Sequence, residues 1–126
     1  MKSLFISTFV VILLITTWMF LYNFISQSTD EFNSLLNDMD KTIYSDNWAS
    51  TQSIYTIIND KWINKQKVLL ISVNHEEIEK VNLSLEKLKK YIYIKDKALT
   101  LGETAALKFL LNHIKEKESL SLKNIF

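Results

Sequence analysis

The pattern of hydrophobic positions divides the chain into a continuous apolar stretch and a longer amphipathic part. The apolar stretch, LFISTFVVILLITTWMFLYNFI, covers residues 4–25, and no charged residue occurs between Ser3 and Thr29. A helix needs about 20 apolar residues to cross the hydrocarbon core of a bilayer. We therefore predict an uncleaved transmembrane signal-anchor helix over residues 1–28, in contact with membrane lipid along residues 4–25.

A cleaved signal peptide is the competing interpretation of this segment. SQS at residues 26–28 has the small-x-small pattern of a cleavage site, but the apolar run is longer than the usual hydrophobic region of about 7–15 residues. Lys2 precedes the span and Asp30 and Glu31 follow it, so the positive-inside rule leaves the N-terminus in the cytoplasm. We expect a single-pass protein of the cell membrane with an extracytoplasmic C-terminal domain.

Beyond the anchor, apolar residues recur every three or four positions, which is typical of amphipathic helices. We predict helices over about residues 29–44, 46–71, 75–98 and 101–118, followed by an unassigned tail at 119–126. The predicted buried stripes are Phe32, Leu35, Leu36, Met39 and Ile43; Trp48, Thr51, Tyr55, Ile58 and Trp62; Ile78, Val81, Leu85, Leu88, Ile92 and Leu99, with Lys95 at one seam position; and Leu107, Leu110, Leu111 and Ile114.

Cap and turn residues mark the predicted boundaries between these helices. The residues concerned are Ser45 or Asp46 before the second helix, Asn74 with Glu77 before the third, and Thr100 with Glu103 and Gly102 before the fourth. Val73 and Ile78 flank Asn74 at the spacing of a hydrophobic staple. The start of the third helix is thus the boundary with the most signals.

The fold predicted from these elements is all-α. Proline is absent and glycine occurs once, so few residues oppose helix formation. Short connections make successive helices antiparallel neighbours. We predict a transmembrane helix followed by an up-down-up-down four-helix bundle over residues 29–118. The alternative is a three-helix bundle in which the first two helices form one long helix.

The composition excludes several classes of function. Without cysteine there are no thiol nucleophiles or zinc–thiolate sites, and with one glycine there are no glycine-rich phosphate loops. All basic residues are lysine, so bidentate arginine clamps are absent. The lysines alternate with glutamates along the helices instead of forming a basic face, and we expect no nucleic-acid partner.

The two histidines are the main candidates for metal binding. His75 with Glu79, and His113 with Glu116, have helical spacing that places each pair on one face. With a turn near residue 99, the two pairs would be offset by about 15 Å along the bundle, and each pair alone supplies too few ligands. No serine or threonine is arranged with a base for catalysis. We predict no metal, no cofactor, no catalytic residue and no enzymatic activity.

The membrane-proximal end of the bundle is the predicted interaction site. In the four-helix fold the second helix returns toward the membrane, which brings VLLISV at residues 68–73 and the C-terminus to the lipid interface. We interpret these as contacts with lipid or with another membrane protein; closing of the bundle core is the alternative, and a homo-oligomer is a further possibility. The predicted interaction residues are Val68, Leu69, Leu70, Ile71, His75, Asn124, Ile125 and Phe126.

Several segments resemble a family of short, uncharacterised single-anchor membrane proteins from Gram-positive, spore-forming bacteria. These segments are the turn at Trp48–Ala49, HEEIEKVNLSLEKLKKYI at 75–92, and HIKEKESLSLKNIF at 113–126, in which the pattern HI-x-E-x-E-x-LSL-x-NIF is the most specific. The family is a domain of unknown function, so the resemblance implies a bacterial, single-anchor helical protein and supplies no site residues.

From these observations we predict a non-enzymatic, membrane-anchored accessory protein that binds a membrane protein. The alternative is an extracytoplasmic sensor that holds a small ligand between its helices near Trp48 and Trp62.

Overall fold

Four helices make up the fold. The computed structural model describes the backbone of residues 1–125 and the side chains of residues 1–120. The helices are α1 (Lys2–Tyr44), α2 (Trp48–Leu69), α3 (His75–Tyr93) and α4 (Lys97–Ile125). The described backbone contains no strand, which confirms the predicted all-α fold.

Helix α1 is a single helix of 43 residues that joins the predicted membrane span to the bundle. Its side chains before Ile25 are exposed or half-buried, and buried side chains begin at Ile25. The linking residues 26–29 include neither proline nor glycine, so nothing in the sequence interrupts the helix there. By length and composition, α1 is the one described helix that could cross a membrane.

The second half of α1, residues 25–44, packs with α2, α3 and α4 into an antiparallel four-helix bundle. Both α1 and α3 contact α2 and α4, and they do not contact each other, so they occupy diagonal corners. Short turns at 45–47, 70–74 and 94–96 connect the helices. The up-down-up-down prediction is confirmed, and the three-helix alternative is wrong because the chain reverses at 45–47.

The predicted apolar stripes form the core. Leu36, Met39 and Leu88 are fully buried, and the rings of Phe32 and Trp62 meet edge to face with centroids 6.2 Å apart. Buried polar atoms are paired across helices: the hydroxyl of Tyr55 donates to the carbonyl of Leu85, and the indole of Trp62 donates to Asn82 at 2.7 Å. Of the stripe residues, Leu35, Trp48 and Leu110 are only partly buried.

The end of the α3 stripe was predicted wrongly. Lys95 is exposed and Leu99 is 46% exposed, so neither continues the seam. The physical reason is a turn at 94–96, in which Lys95 has a φ of 56° and ends the helical path. The side chain of Asp96 then accepts a hydrogen bond from the backbone N–H of Leu99 at 2.9 Å and caps α4.

The predicted break at 99–103 is therefore also wrong. Gly102 lies inside α4, where an isolated glycine costs about 1 kcal/mol relative to alanine without ending the helix. Thr100 and Glu103 do not form a capping box: Thr100 is buried, and Glu103 accepts a hydrogen bond from Ser84 at 2.7 Å. The helix also continues past its predicted end at residue 118, through Ile125.

The caps of α2 and α3 differ in how well they were predicted. Asn47, rather than Ser45 or Asp46, caps α2 by accepting from the N–H of Ser50 at 3.2 Å. Asp46 has a φ of 56° and belongs to the turn. Asn74 caps α3 as predicted, by accepting from the N–H of Glu76 at 3.2 Å, and the staple residues Val73 and Ile78 are both buried. The predicted capping box is not completed, because Glu77 faces Lys80, His113 and Lys117 instead of the N–H of Asn74.

Candidate membrane-proximal interface

The lower end of the core is closed by one residue from each of three helices. Ile25 of α1, Leu69 of α2 and Ile114 of α4 are at most 4% exposed and line the same small cavity of about 10 Å³. Leu69 therefore packs in the core, as the alternative interpretation of the apolar run expected. Because Ile25 is the last residue of the predicted span, the core ends where the span ends.

Contacts between α1 and α2 fix the height of each α2 residue relative to the span. The hydroxyls of Thr42 and Thr51 lie 2.7 Å apart near the top, and the amine of Lys65 donates to Ser28 at 3.2 Å near the bottom. Continued by one more turn, this antiparallel register brings the end of α2 to the last turn of the span. The predicted return of α2 to the height of the span end is thus present in the bundle.

The side chains of the apolar run point in different directions. Leu69 and Val73 are buried, Val68 is half-buried, and Leu70 and Ile71 are 46% and 74% exposed. A buried pair that flanks an exposed pair is expected where a helix ends and its chain turns back under the core. The outward-facing part of the apolar run is therefore Leu70 and Ile71, which we call the α2–α3 loop pair.

His75, the first residue of α3, is exposed. Its Nε2 lies 3.5 Å from the Oε1 of Glu79, the partner predicted from the helical spacing. Glu76, Glu77 and Glu79 follow it, and acidic residues in a first turn favour the positive end of the helix.

The C-terminal interaction residues Asn124, Ile125 and Phe126 have side chains outside the described residues. The backbone of α4 nevertheless runs through Ile125. Asn33 donates to Asn112 at 3.0 Å and the amine of Lys115 donates to Asp30 at 3.3 Å, so α1 and α4 are antiparallel neighbours. In this register the end of α4 descends beside the last turns of the span.

A layer of ion pairs lies just above this end. Glu31 of α1 accepts hydrogen bonds from the amines of both Lys61 and Lys65 of α2. These hydrogen bonds, from Lys61 first and Lys65 second, hold the pKa of the Glu31 carboxyl below its usual value. The amine of Lys65 also lies 5.8 Å from the ring of Phe24, which is a cation–π distance.

These ion pairs were not predicted from the sequence. Lys61 and Lys65 are four residues apart, so they share one face of α2, and that spacing was an available signal. Which helix that face would meet depends on the register set by the turn at 45–47, which the sequence pattern does not determine.

The two histidines lie closer together along the bundle than the sequence predicted. Because the chain turns at 94–96 and not at 99, His75 and His113 lie at similar distances from that turn, and the expected offset of about 15 Å is wrong. The Nε2 of His113 lies 3.9 Å from the Oε1 of Glu77, which is 6% exposed. Within residues 1–120 no group of three or more His, Asp or Glu side chains could hold a metal ion.

Two carboxylates near this end are removed from water: Glu77 is buried and Glu118 is half-buried. The Oε1 of Glu77 lies between 3.8 and 3.9 Å from the amines of Lys80 and Lys117 and from the Nε2 of His113, while its Oε2 is buried without a hydrogen-bond partner. Burial raises the pKa of the half-buried Glu118 carboxyl, and the nearby Lys117 opposes this rise.

The interior beside Trp62 is closely packed. Two cavities touch this side chain, and each has a volume of about 10 Å³, which is about the space of one water molecule. The larger depressions are on the surface, such as one of about 650 Å³ between α2 and α3, lined by Gln52, Tyr93 and Ile94 among others. These two core cavities are much smaller than the surface depression, and the ligand-binding alternative stays a prediction.

Comparison with known protein families identifies one family of uncharacterised function, as the resemblance described above implied. The model of the family described as a domain of unknown function, DUF4363, matches residues 19–125. This chain belongs to the DUF4363 family. The match begins inside the predicted span and includes the rest of α1 and all of α2, α3 and α4, so the DUF4363 domain covers the helical bundle together with the end of the predicted span. No curated protein and no solved structure matches the chain.

Proposed function

We propose that this DUF4363 protein is a membrane-anchored accessory protein without enzymatic activity, which binds a membrane protein through the membrane-proximal end of its bundle. The observation that carries the proposal is the position of the α2–α3 loop pair. Leu70 and Ile71 are 46% and 74% exposed, and they lie at the end of the span and not at the outer tip of the bundle. Adjacent exposed apolar side chains are a common feature of interaction surfaces.

The unbroken α1 supports the same proposal. A continuous helix holds the bundle at a fixed height above the span, so a partner in the same membrane meets the same end of every molecule. Lys2 before the span and Asp30 and Glu31 after it favour a cytoplasmic N-terminus and an extracytoplasmic bundle. We extend this proposal to the cell membrane of a Gram-positive bacterium, as the resemblance of the C-terminal segment implies.

The polar groups of the bundle support a structural and not a catalytic role. Glu31, Asp40 and Glu103 each accept hydrogen bonds from side chains of a neighbouring helix. Such pairs fix the register between helices, and their carboxylates are already used as hydrogen-bond acceptors.

The proposal is tested by co-purification from native membranes after crosslinking, with mass spectrometry of the captured proteins. We expect Leu70→Ser with Ile71→Ser, and separately the deletion of residues 124–126, to reduce recovery of the partner about tenfold, which corresponds to about 1.4 kcal/mol. The helix content of both variants should remain that of the unmodified protein.

Matched controls come from the side of the bundle. Ile57 is 45% exposed and Phe109 is 70% exposed, so Ile57→Ser with Phe109→Ser removes comparable apolar surface far from the membrane. We expect these controls to keep the partner. Equal loss with both pairs, or recovery that is unchanged by the loop-pair substitutions and the deletion, would contradict the proposal; a captured species with twice the mass of the chain would identify a second copy as the partner.

A further inference from the structure

We propose that the α2–α3 loop pair, Leu70 and Ile71, enters the boundary between the lipid headgroups and the hydrocarbon core, where lipid acyl chains cover both side chains. The inference rests on the membrane anchor of the proposed function, and it requires no protein partner. It gives the bundle a second attachment to the bilayer, at the end of α2, the helix that packs beside α1.

The first support is the height of the loop pair. Leu69, the last residue of α2, shares a cavity with Ile25 at the bottom of the core, so the next two residues of the chain lie at or below Ile25 along the axis of α1. The part of α1 from Leu4 to Phe24 is about 31 Å long at about 1.5 Å per residue, which matches a hydrocarbon thickness of about 30 Å. The upper edge of the hydrocarbon therefore falls at the height of the loop pair.

The charged residues of α1 prevent the span from sliding far from this position. A deeper position would take Asp30 and Glu31 toward the hydrocarbon, where charged groups are costly. A shallower position would draw Lys2 and the N-terminal amine into the opposite face of the bilayer. Glu31, bonded to Lys61 and Lys65, marks the lowest ionic layer that joins α1 to α2.

The second support is the direction of the side chains. The buried residues Leu69 and Val73 close the core, and the loop between them leaves Ile71 74% exposed on the opposite side. The bundle itself thus supplies no cover for this side chain. Lys67 precedes the loop pair by about one turn and is exposed, so its amine can reach lipid phosphates while its stem follows the apolar surface.

The third support is that lipid is the molecule available to cover the loop pair. Lipid surrounds the span wherever the protein is anchored, and the loop pair lies beside that span at the same height. A membrane-protein partner would reach this end within the plane of the bilayer and would replace these lipids, so the two kinds of contact can succeed one another at the same surface.

The test uses single cysteines, because the chain has none of its own. A spin label is attached at Ile71→Cys in the full-length purified protein, reconstituted in vesicles of phosphatidylcholine and phosphatidylglycerol. Collisions with oxygen, which concentrates in lipid, are compared with collisions with a water-soluble nickel complex. Phe20→Cys, 65% exposed within the span, is the lipid reference, and Phe109→Cys, 70% exposed on the bundle, is the aqueous reference.

We expect the label at position 71 to resemble the label at position 20, with several-fold greater accessibility to oxygen relative to nickel than the label at 109. A label at 71 that resembles 109, while 20 stays in lipid, would overturn the inference and leave the anchor intact. If the label at 20 is also aqueous, the anchor of the proposed function fails with it. A label at 71 that is aqueous in vesicles but shielded in native membranes would assign the surface to a protein and not to lipid.

Discussion

The two halves of α1 have the same backbone conformation and opposite surroundings. In residues 2–24 no side chain is buried, whereas residues 25–44 contain a stripe of seven buried side chains. Leu13 is 54% exposed and Leu36 is 0% exposed, although both are leucines in the middle of the same helix. The helical conformation is therefore not what distinguishes the predicted span from the bundle; the difference is whether α2 and α4 are present to cover its apolar face.

The largest expected effect on stability comes from shortening a leucine in the bundle half of α1, compared with the same substitution in the other half. Leu36→Ala leaves a cavity in the bundle core and should lower the free energy of unfolding by about 2–5 kcal/mol. Leu13→Ala should change it by less than about 0.5 kcal/mol, because that side chain has no packing partner in the bundle. Circular dichroism during chemical denaturation in detergent micelles measures both, and equal losses in the two variants would contradict the division of α1 into two halves.

A substitution within α4, the helix that covers the second half of α1, should raise the stability of the bundle. Gly102 lies inside α4, and a β-carbon added there would meet nothing within 4 Å. Gly102→Ala should therefore stabilise the bundle by about 0.5–1 kcal/mol through helix propensity alone. The thermal midpoint of the bundle should rise, and an unchanged or lower midpoint would show that residue 102 does not have an ordinary helical environment.

The ion pairs above the junction of the two halves should make stability depend on pH. The pKa of Glu31 is lowered from 4.5 by hydrogen bonds from Lys61 and Lys65. The unfolded state then binds more protons between the folded and unfolded pKa values, so this contribution is full above about pH 4.5 and is lost as pH falls through the folded pKa. Glu31→Gln should remove that loss, with an effect below about 1 kcal/mol since the carboxylate is partly exposed. Unfolding measured from pH 3 to 7 tests the slope.

Glu118 should have the smallest effect on stability, and its pH dependence should be opposite in sign to that of Glu31. Burial raises its pKa above 4.5, so the folded state binds the proton more tightly than the unfolded state. Its contribution to stability is present below about pH 4.5 and is lost as pH rises through the folded pKa. In Glu118→Gln the bundle should lose less stability than the unmodified protein as pH rises above 4.5, and a steeper loss in this variant would contradict the assigned sign.

The helices and their buried faces could be predicted because they depend on local spacing. The stripe that contains Phe32, Leu36 and Met39 is buried as its three-and-four spacing indicated, and Asn74 begins α3 where three local signals coincide. These features need only the residues within two turns of each position.

The turn between α3 and α4 was predicted wrongly because some residue types occur both inside helices and at their ends. Gly102 was interpreted as a break, yet a single glycine is tolerated inside a helix held by its neighbours. The true turn uses Lys95 at positive φ, which is uncommon for a lysine, and the available signal for it was Asp96, an N-cap residue just before α4. This shift of the turn also changed the relative heights of His75 and His113.

The interface could be predicted in position but not in detail. The return of α2 toward the span followed from helix lengths, so the neighbourhood of Leu70 was foreseen. Which side chains face outward depends on how the turn at 70–74 passes under the core, and the bonds of Glu31 to Lys61 and Lys65 depend on the register between α1 and α2. Both are tertiary features that the spacing within one helix does not determine.

We infer that α1 is one rigid helix shared between the predicted membrane span and the bundle. This is tested by the distance between spin labels at Phe9→Cys and Asn37→Cys in lipid nanodiscs, with Gln27→Pro as a variant that interrupts the helix between them. We predict a narrow distribution centred near 42 Å, from 28 residues at about 1.5 Å each, which the proline variant shortens and broadens. A broad or shorter distribution in the unmodified protein would show that span and bundle are separate bodies, and would contradict the account.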